Sequence, residues 1–125
     1  MRLQHVSTPY PVGLQEDVRG FYGGVLGRTE KQVPATLADR GLIWFEAGAG
    51  ELELHFVPEN GSTEPYSARH VCFEVDDLED ARERVKRARR FLREPTPIPN
   101  RPRFLCADPF GNLVELTTIV GDSRR

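Results

Sequence analysis

The three histidines of this chain, His5, His55 and His70, each fall in a short stretch that reads as a β-strand. In Arg69-His70-Val71-Cys72-Phe73-Glu74-Val75, the core face is Val71, Phe73 and Val75, which leaves His70, Cys72 and Glu74 on the other. In Glu51-Leu52-Glu53-Leu54-His55-Phe56-Val57, the core face is Leu52, Leu54 and Phe56, with Glu51, Glu53 and His55 opposite. In Leu113-Val114-Glu115-Leu116-Thr117, Glu115 opposes Val114 and Leu116. A carboxylate in the middle of such a strand is costly to bury unless something pairs with it. His5 shares a face with Leu3 and Ser7, where parity is less decisive. Imidazole with carboxylate is a donor set for Fe(II), Zn, Ni, Co or Mn. Two histidines with one or two carboxylates leave positions open for a substrate, the arrangement of a catalytic rather than a structural centre.

The elements that must position these groups form a repeat. Residues 3–8 read as a first strand stopped by Pro9 and Pro11, followed by a helix with Leu14, Val18, Phe21, Tyr22, Val25 and Leu26 at helical spacing and Gly27 as its stop. Gly20, Gly23 and Gly24 weaken that helix, so packing has to hold it, with a close approach to a sheet as one reason for glycine there. An edge strand over 28–33, a loop through 34–40 and strands over 42–46 and 51–57 complete the first half. The second half opens with the strand at 69–75 and a helix capped by Asp76 and Glu79 at capping-box spacing. A short strand over 91–94, a Pro-rich loop and a hairpin turning at Asp108-Pro109-Phe110-Gly111-Asn112 follow. His5-Val6 and His70-Val71 open the two halves, and Glu53-Leu54 and Glu115-Leu116 stand in their last strands.

Bulk properties exclude several classes. A hydrophobic fraction of 38% and a charged fraction of 29% describe a folded chain rather than a disordered one. The net charge of -2 argues against nucleic acid as a partner. The arginines between Arg82 and Arg93 are read as the solvated face of the second helix. No run is long enough to span a membrane and the first residues lack a signal peptide's apolar stretch, so a cytoplasmic protein is expected. Cys72 and Cys106 are then free, buried thiols. Trp44, Phe45, Tyr66 and Phe110 are either core or the walls of an apolar pocket, and Cys72 is a second pocket candidate.

His5-Val6, Phe21-Tyr22 with Leu26-Gly27, His70-Val71 with Glu74-Val75-Asp76-Asp77, and Asp108-Pro109-Phe110-Gly111-Asn112 with Val114-Glu115-Leu116 together resemble the vicinal oxygen chelate superfamily over about residues 3–119. That group includes glyoxalase I, extradiol dioxygenases, methylmalonyl-CoA epimerase and the fosfomycin and bleomycin resistance proteins. The resemblance implies an α+β fold of two βαβββ modules whose sheets curl around a shared cavity. One glyoxalase-like domain would cover 1–120, with module one at 1–57, a linker at 58–67, module two at 68–120 and a tail at 121–125. It further implies one divalent transition metal (Zn, Ni, Mn, Co or Fe) on His5, Glu53, His70 and Glu115, a small-molecule substrate and a homodimer, sometimes with modules exchanged between chains. His55 lies two positions beyond Glu53 on the same face and could replace or crowd it.

Three functions follow from the resemblance. The first is a metal-dependent lyase or isomerase of the glyoxalase I type, in which the ion polarises two adjacent substrate oxygens and Glu53 or Glu115 moves a proton at the neighbouring carbon. The second is a non-haem Fe(II) extradiol-type dioxygenase on a three-ligand set of His5, His70 and Glu115. The third is a metal-free drug- or ligand-binding resistance protein that uses the acidity of Glu51, Glu53, Glu74 and Glu115.

Overall fold

A computed structural model describes residues 1–61 and 67–122 of the chain. Tyr66 and half of the expected linker, together with the end of the tail, lie outside the described residues. The elements are β1 (His5–Tyr10), α1 (Gln15–Val18), a π-helical segment (Arg19–Val25), β2 (Glu30–Lys31), a 3₁₀ turn (Ala35–Leu37), β3 (Ile43–Glu46) and β4 (Glu53–Pro58). They continue with β5 (His70–Glu74), α2 (Leu78–Arg87), β6 (Leu92–Arg93), β7 (Arg103–Ala107) and β8 (Leu113–Thr117). Two four-stranded sheets result, ordered β1-β4-β3-β2 and β5-β8-β7-β6. The second order is the first moved on by four strands, so the repeat in the sequence is a repeat in topology. Each sheet joins its first and last strands in parallel, β1 with β4 and β5 with β8, and its other neighbours antiparallel. The chain divides into two compact units, Met1–Ser62 and Thr63–Arg125.

In the first unit Tyr10, Val18, Phe21, Tyr22, Ile43, Phe45, Leu54 and Phe56 are buried. Each large side chain so buried contributes roughly 1.5–3 kcal/mol. Tyr22 and Phe56 lie 4.5 Å apart between ring centres, and Phe45 meets Phe56 edge-on. The expected helix over 14–26 is α-helical only at Gln15–Val18 and then widens into a π-helical segment, where the Leu26 N–H donates to the Phe21 carbonyl at 2.9 Å. The three glycines lower the α propensity, and burial of Phe21 and Tyr22 holds the wider turn. A Cβ on Gly23 would stand 3.5 Å from the Phe45 ring, while Gly20 and Gly24 face open space. The close approach to a sheet is therefore made at Gly23. Gly27, at φ +68, ends the helix as expected. The first strand starts at His5 and runs through Pro9 to Tyr10, later than the expected 3–8. β1 is an outer strand of its sheet, where a missing N–H need not break the ladder.

In the second unit Phe73, Leu78, Val85, Phe104, Leu105, Cys106, Val114 and Leu116 form the core. Val71, expected in it, is only half-buried. Asp77, not Asp76, caps α2 by accepting the Asp80 N–H at 3.0 Å, because Asp77 is the last residue with extended dihedrals. Arg82 departs from the solvated face read in the sequence. Its side chain is 14% exposed, its guanidinium lies 4.9 Å over the Phe104 ring, and it pairs with Glu79 and Glu94. The β7–β8 turn is built on Asp108, a buried carboxylate that accepts the N–H groups of Phe110 (2.9 Å) and Asn112 (2.8 Å) and the Asn112 side-chain amide (2.8 Å). Gly111 takes φ +89 there. Replacing Asp108 by Ala leaves these donors without the carboxylate and should lower stability by about 3 kcal/mol in urea unfolding, with Asp108→Asn losing less.

Candidate functional site

The parallel pair β1–β4 sets one group of side chains. His5 lies opposite Glu53 and Ser7 opposite His55, so all four share a face. Trp44 on β3 lies opposite His55. Three rings stack in consequence: Trp44 on His55 at 4.0 Å and 3°, and His5 on the other histidine at 4.2 Å and 16°. Trp44 is thus a platform for His55, whereas its neighbour Phe45 is core. Glu53 is buried; one carboxylate oxygen meets His55 Nε2 at 2.9 Å and the other pairs with Lys31 Nζ. The Lys31 ammonium and then the His55 ring hold its pKa down at about 2. Gln4 orients His5. Its amide nitrogen donates to the Glu51 carbonyl at 2.6 Å, which turns its oxygen to His5 Nδ1 at 2.7 Å. An amide oxygen only accepts, so Nδ1 is the donor in this bond and Nε2 is the nitrogen turned away from it.

The pair β5–β8 sets the other group. Mid-strand Glu115 is buried, and its partners are Arg103, whose Nη1 donates to Oε1 at 2.9 Å, and His70, whose Nε2 lies 3.0 Å from Oε2. Arg103 Nη2 donates to the Thr96 carbonyl at 2.7 Å and is anchored by it. His70 Nδ1 donates to the Ala68 carbonyl at 2.9 Å. That bond places a proton on Nδ1, so the 3.0 Å approach of Nε2 to a carboxylate oxygen brings two acceptors together unless a cation lies between them: a second proton or a metal ion. Cys72 is exposed, not buried as expected, because β5 turns that face to solvent. Desolvation of its sulfur along the strand and the Glu115 charge still push the thiol up to about 11, which makes it a poor nucleophile. Cys106 is buried and its thiol is pushed up to about 12 by that burial.

Register separates the two modules. His5 is paired with Glu53, but His70 is paired with Leu113, and Glu115 faces Cys72. With β5 laid on β1 so that the two leading histidines coincide, the counterpart of Glu115 is His55 and the counterpart of Glu53 is Leu113. The matching letters Glu53-Leu54 and Glu115-Leu116 are therefore offset by two residues in space.

The donor chemistry fits a divalent transition metal: imidazoles of His5 and His70 with Nδ1 tied back to an oxygen, and carboxylates within 3.0 Å of His55 and His70. Among the described residues no three His, Cys, Asp or Glu side chains are gathered as a metal-binding group; the donors come in pairs, one in each unit. Lys31, Arg103 and Gln4 were not singled out in the sequence. Arg103 could have been found, since hairpin register puts it on the face of Glu115. The two-residue β2 that carries Lys31 leaves no alternation to read.

Two open sheets in βαβββ order, each with a histidine and a carboxylate on its parallel pair, define a two-module α+β protein of glyoxalase-like fold. The sequence profile of the Glyoxalase/Bleomycin resistance protein/Dioxygenase superfamily matches residues 2–116, and the chain belongs to that superfamily. A glyoxalase family protein from Bacillus anthracis is similar at 29% identity, with 95% of each chain covered and a TM-score of 0.83. An antibiotic-binding protein from a Streptomyces species shares the fold at 21% identity, covering 95% of this chain and 96% of its own, with a TM-score of 0.72. So does the fosfomycin resistance protein FosX from Listeria monocytogenes, in complex with Mn(II) and dihydroxypropylphosphonic acid, at 14% identity, 98% and 95% coverage and a TM-score of 0.79. No curated protein matches the sequence. No helix among the described residues is long and apolar enough to cross a membrane.

The Lys31–Glu53 pair has a defined pH signature. The Glu53 carboxyl titrates near 2 in the folded chain against 4.5 unperturbed, so its contribution is present above 4.5 and is lost as pH falls from there toward 2. Lys31→Met should be less stable than the parent near neutral pH, and the difference should close as pH approaches about 2 in acid–urea titrations.

Proposed function

We propose that this protein is a divalent-metal-dependent lyase or isomerase of the glyoxalase type, acting as a homodimer on a small substrate with adjacent oxygens. The observation that carries the proposal is the His70–Glu115 pair, with Nδ1 of the histidine tied to a backbone carbonyl and Nε2 turned to the carboxylate at 3.0 Å. His5, with its own Nδ1 tied to Gln4, is the matching donor of the first module. For the last position the register supports His55, the counterpart of Glu115, over Glu53. Glu53 instead fixes the His55 ring from the side, at 2.9 Å. A divalent ion on these groups would supply Lewis acidity to the substrate oxygens. The proton at the neighbouring carbon is assigned to Glu115, because Lys31 and His55 leave Glu53 with little affinity for one. Arg103 holds the Glu115 carboxylate in place from the side away from His70.

A second reading has its own support. Glu53 and Glu115 each carry a cationic partner, Lys31 and Arg103, and the stack of Trp44, His55 and His5 offers a flat aromatic surface. Those features suit a metal-free binder of a planar ligand. Elemental mass spectrometry of the purified protein separates the two. The catalytic proposal expects about one transition metal per chain, none in His70→Ala/Glu115→Ala, and a larger loss in His55→Ala than in Glu53→Gln. No metal in the parent, even after soaking with Ni, Zn, Mn and anaerobic Fe(II), would leave the binder.

A further inference from the structure

The Pro-rich loop that leads to β7 is pinned in place. The Pro102 carbonyl accepts the Thr118 N–H (3.1 Å) and the Thr117 hydroxyl (2.9 Å), and the Asn100 carbonyl accepts the Val120 N–H at 2.9 Å. Residues of the loop line an open cleft of about 490 Å³. Its polar lining includes three arginines, Arg82, Arg101 and Arg103, but a single carboxylate, Glu94. Two of the three guanidinium groups are accounted for: Arg82 pairs with Glu79 and Glu94, and Arg103 with Glu115. Arg101 has no side-chain hydrogen bond and no ion pair among the described residues, and its Nε is buried without an acceptor, as is that of Arg103. Arg101 is only half-buried and its Nη groups are not among the buried unpartnered atoms, so a permanently charged guanidinium with no protein acceptor is open to a ligand from this cleft. The rest of the wall is apolar and includes Ile98 and Val120, large aliphatic side chains left exposed on this surface.

We propose that this cleft is a binding site for an organic oxyanion, a carboxylate or phosphate monoester with an apolar body, whose charged head pairs with Arg101 and whose body lies on Ile98 and Val120. Guanidinium matches the planar or tetrahedral oxygens of such a head through paired N–H donors. The volume is in the range of small-ligand sites and exceeds what a bare inorganic anion would fill. Arg103 spans from the cleft wall to Glu115, so a ligand held here would sit next to the buried carboxylate of β8. The site stands on the second module alone and needs no metal.

The test uses the full chain stripped of metal with a chelator, in low-salt buffer, titrated calorimetrically with phenyl phosphate, benzoate and neutral benzyl alcohol. At least one of the two anions should bind, and the alcohol should not. The better-bound anion identifies the head group. Arg101→Gln should weaken anion binding by about tenfold or more. With no native partner to lose, it should keep the parent's ligand-free melting temperature. In parent protein, with no substitution at all, the Arg101 Nε–H resonance should move on anion addition. Equal affinity in the parent and Arg101→Gln, binding seen only after metal is restored, a fixed Arg101 resonance, or no binding of either anion at millimolar concentration would each overturn the proposal.

Discussion

Each module rests on one parallel strand pair that closes its end onto its beginning. β1 and β4 are separated in sequence by a helix and two strands, yet they pair over six residues, and β5 and β8 repeat the arrangement over five. A strand has a side-chain period of two, so this pairing decides which residues share a face and which histidine meets which carboxylate. A one-residue slip in β1–β4 would send His5 and Ser7 to the opposite face from His55. The aromatic core of the first unit and the packing of Phe73, Phe104 and Leu116 in the second hold those registers, since each buries one face of its sheet.

Glu53 and Glu115 follow from that constraint. Both sit mid-sheet and are almost fully buried, a position a carboxylate keeps only with charge and hydrogen bonds to match. The modules solve the problem in parallel ways: a cation from another strand of the same sheet, Lys31 from two strands away or Arg103 from the adjacent one, and a histidine from the parallel pair, His55 or His70. The partner histidines come from different positions, because His55 lies on the same strand as Glu53 while His70 lies on the strand beside Glu115. The same backbone repeat thus carries two different polar constellations. The two leading histidines are orientated through Nδ1, His5 by Gln4 and His70 by the Ala68 carbonyl.

The fold was largely legible. Alternation marked β4, β5 and β8, glycine marked the end of the first helix, and the Asp-Pro-Phe-Gly-Asn turn marked the last hairpin. The errors have local causes. Glycines at 20, 23 and 24 turned an expected α-helix into a π-helical segment, an edge position let β1 run through Pro9, and the cap of α2 moved one residue to Asp77. Among the candidate residues, the pairing of His70 with Glu115 and the closeness of His55 to Glu53 were within reach of the sequence. Cys72 was misread because a small residue in an alternating strand looks buried from either side.

By itself the sequence determined residue types, strand parity and the two-module repeat, because these depend on neighbours a few positions apart. Tertiary structure decided the rest. It offset Glu53 and Glu115 by two residues despite their matching letters, brought Lys31 to Glu53 from two strands away, and left Arg101 without a partner on its cleft. Register between strands and the reach of long side chains depend on how segments dozens of residues apart come together, and no local pattern encodes that.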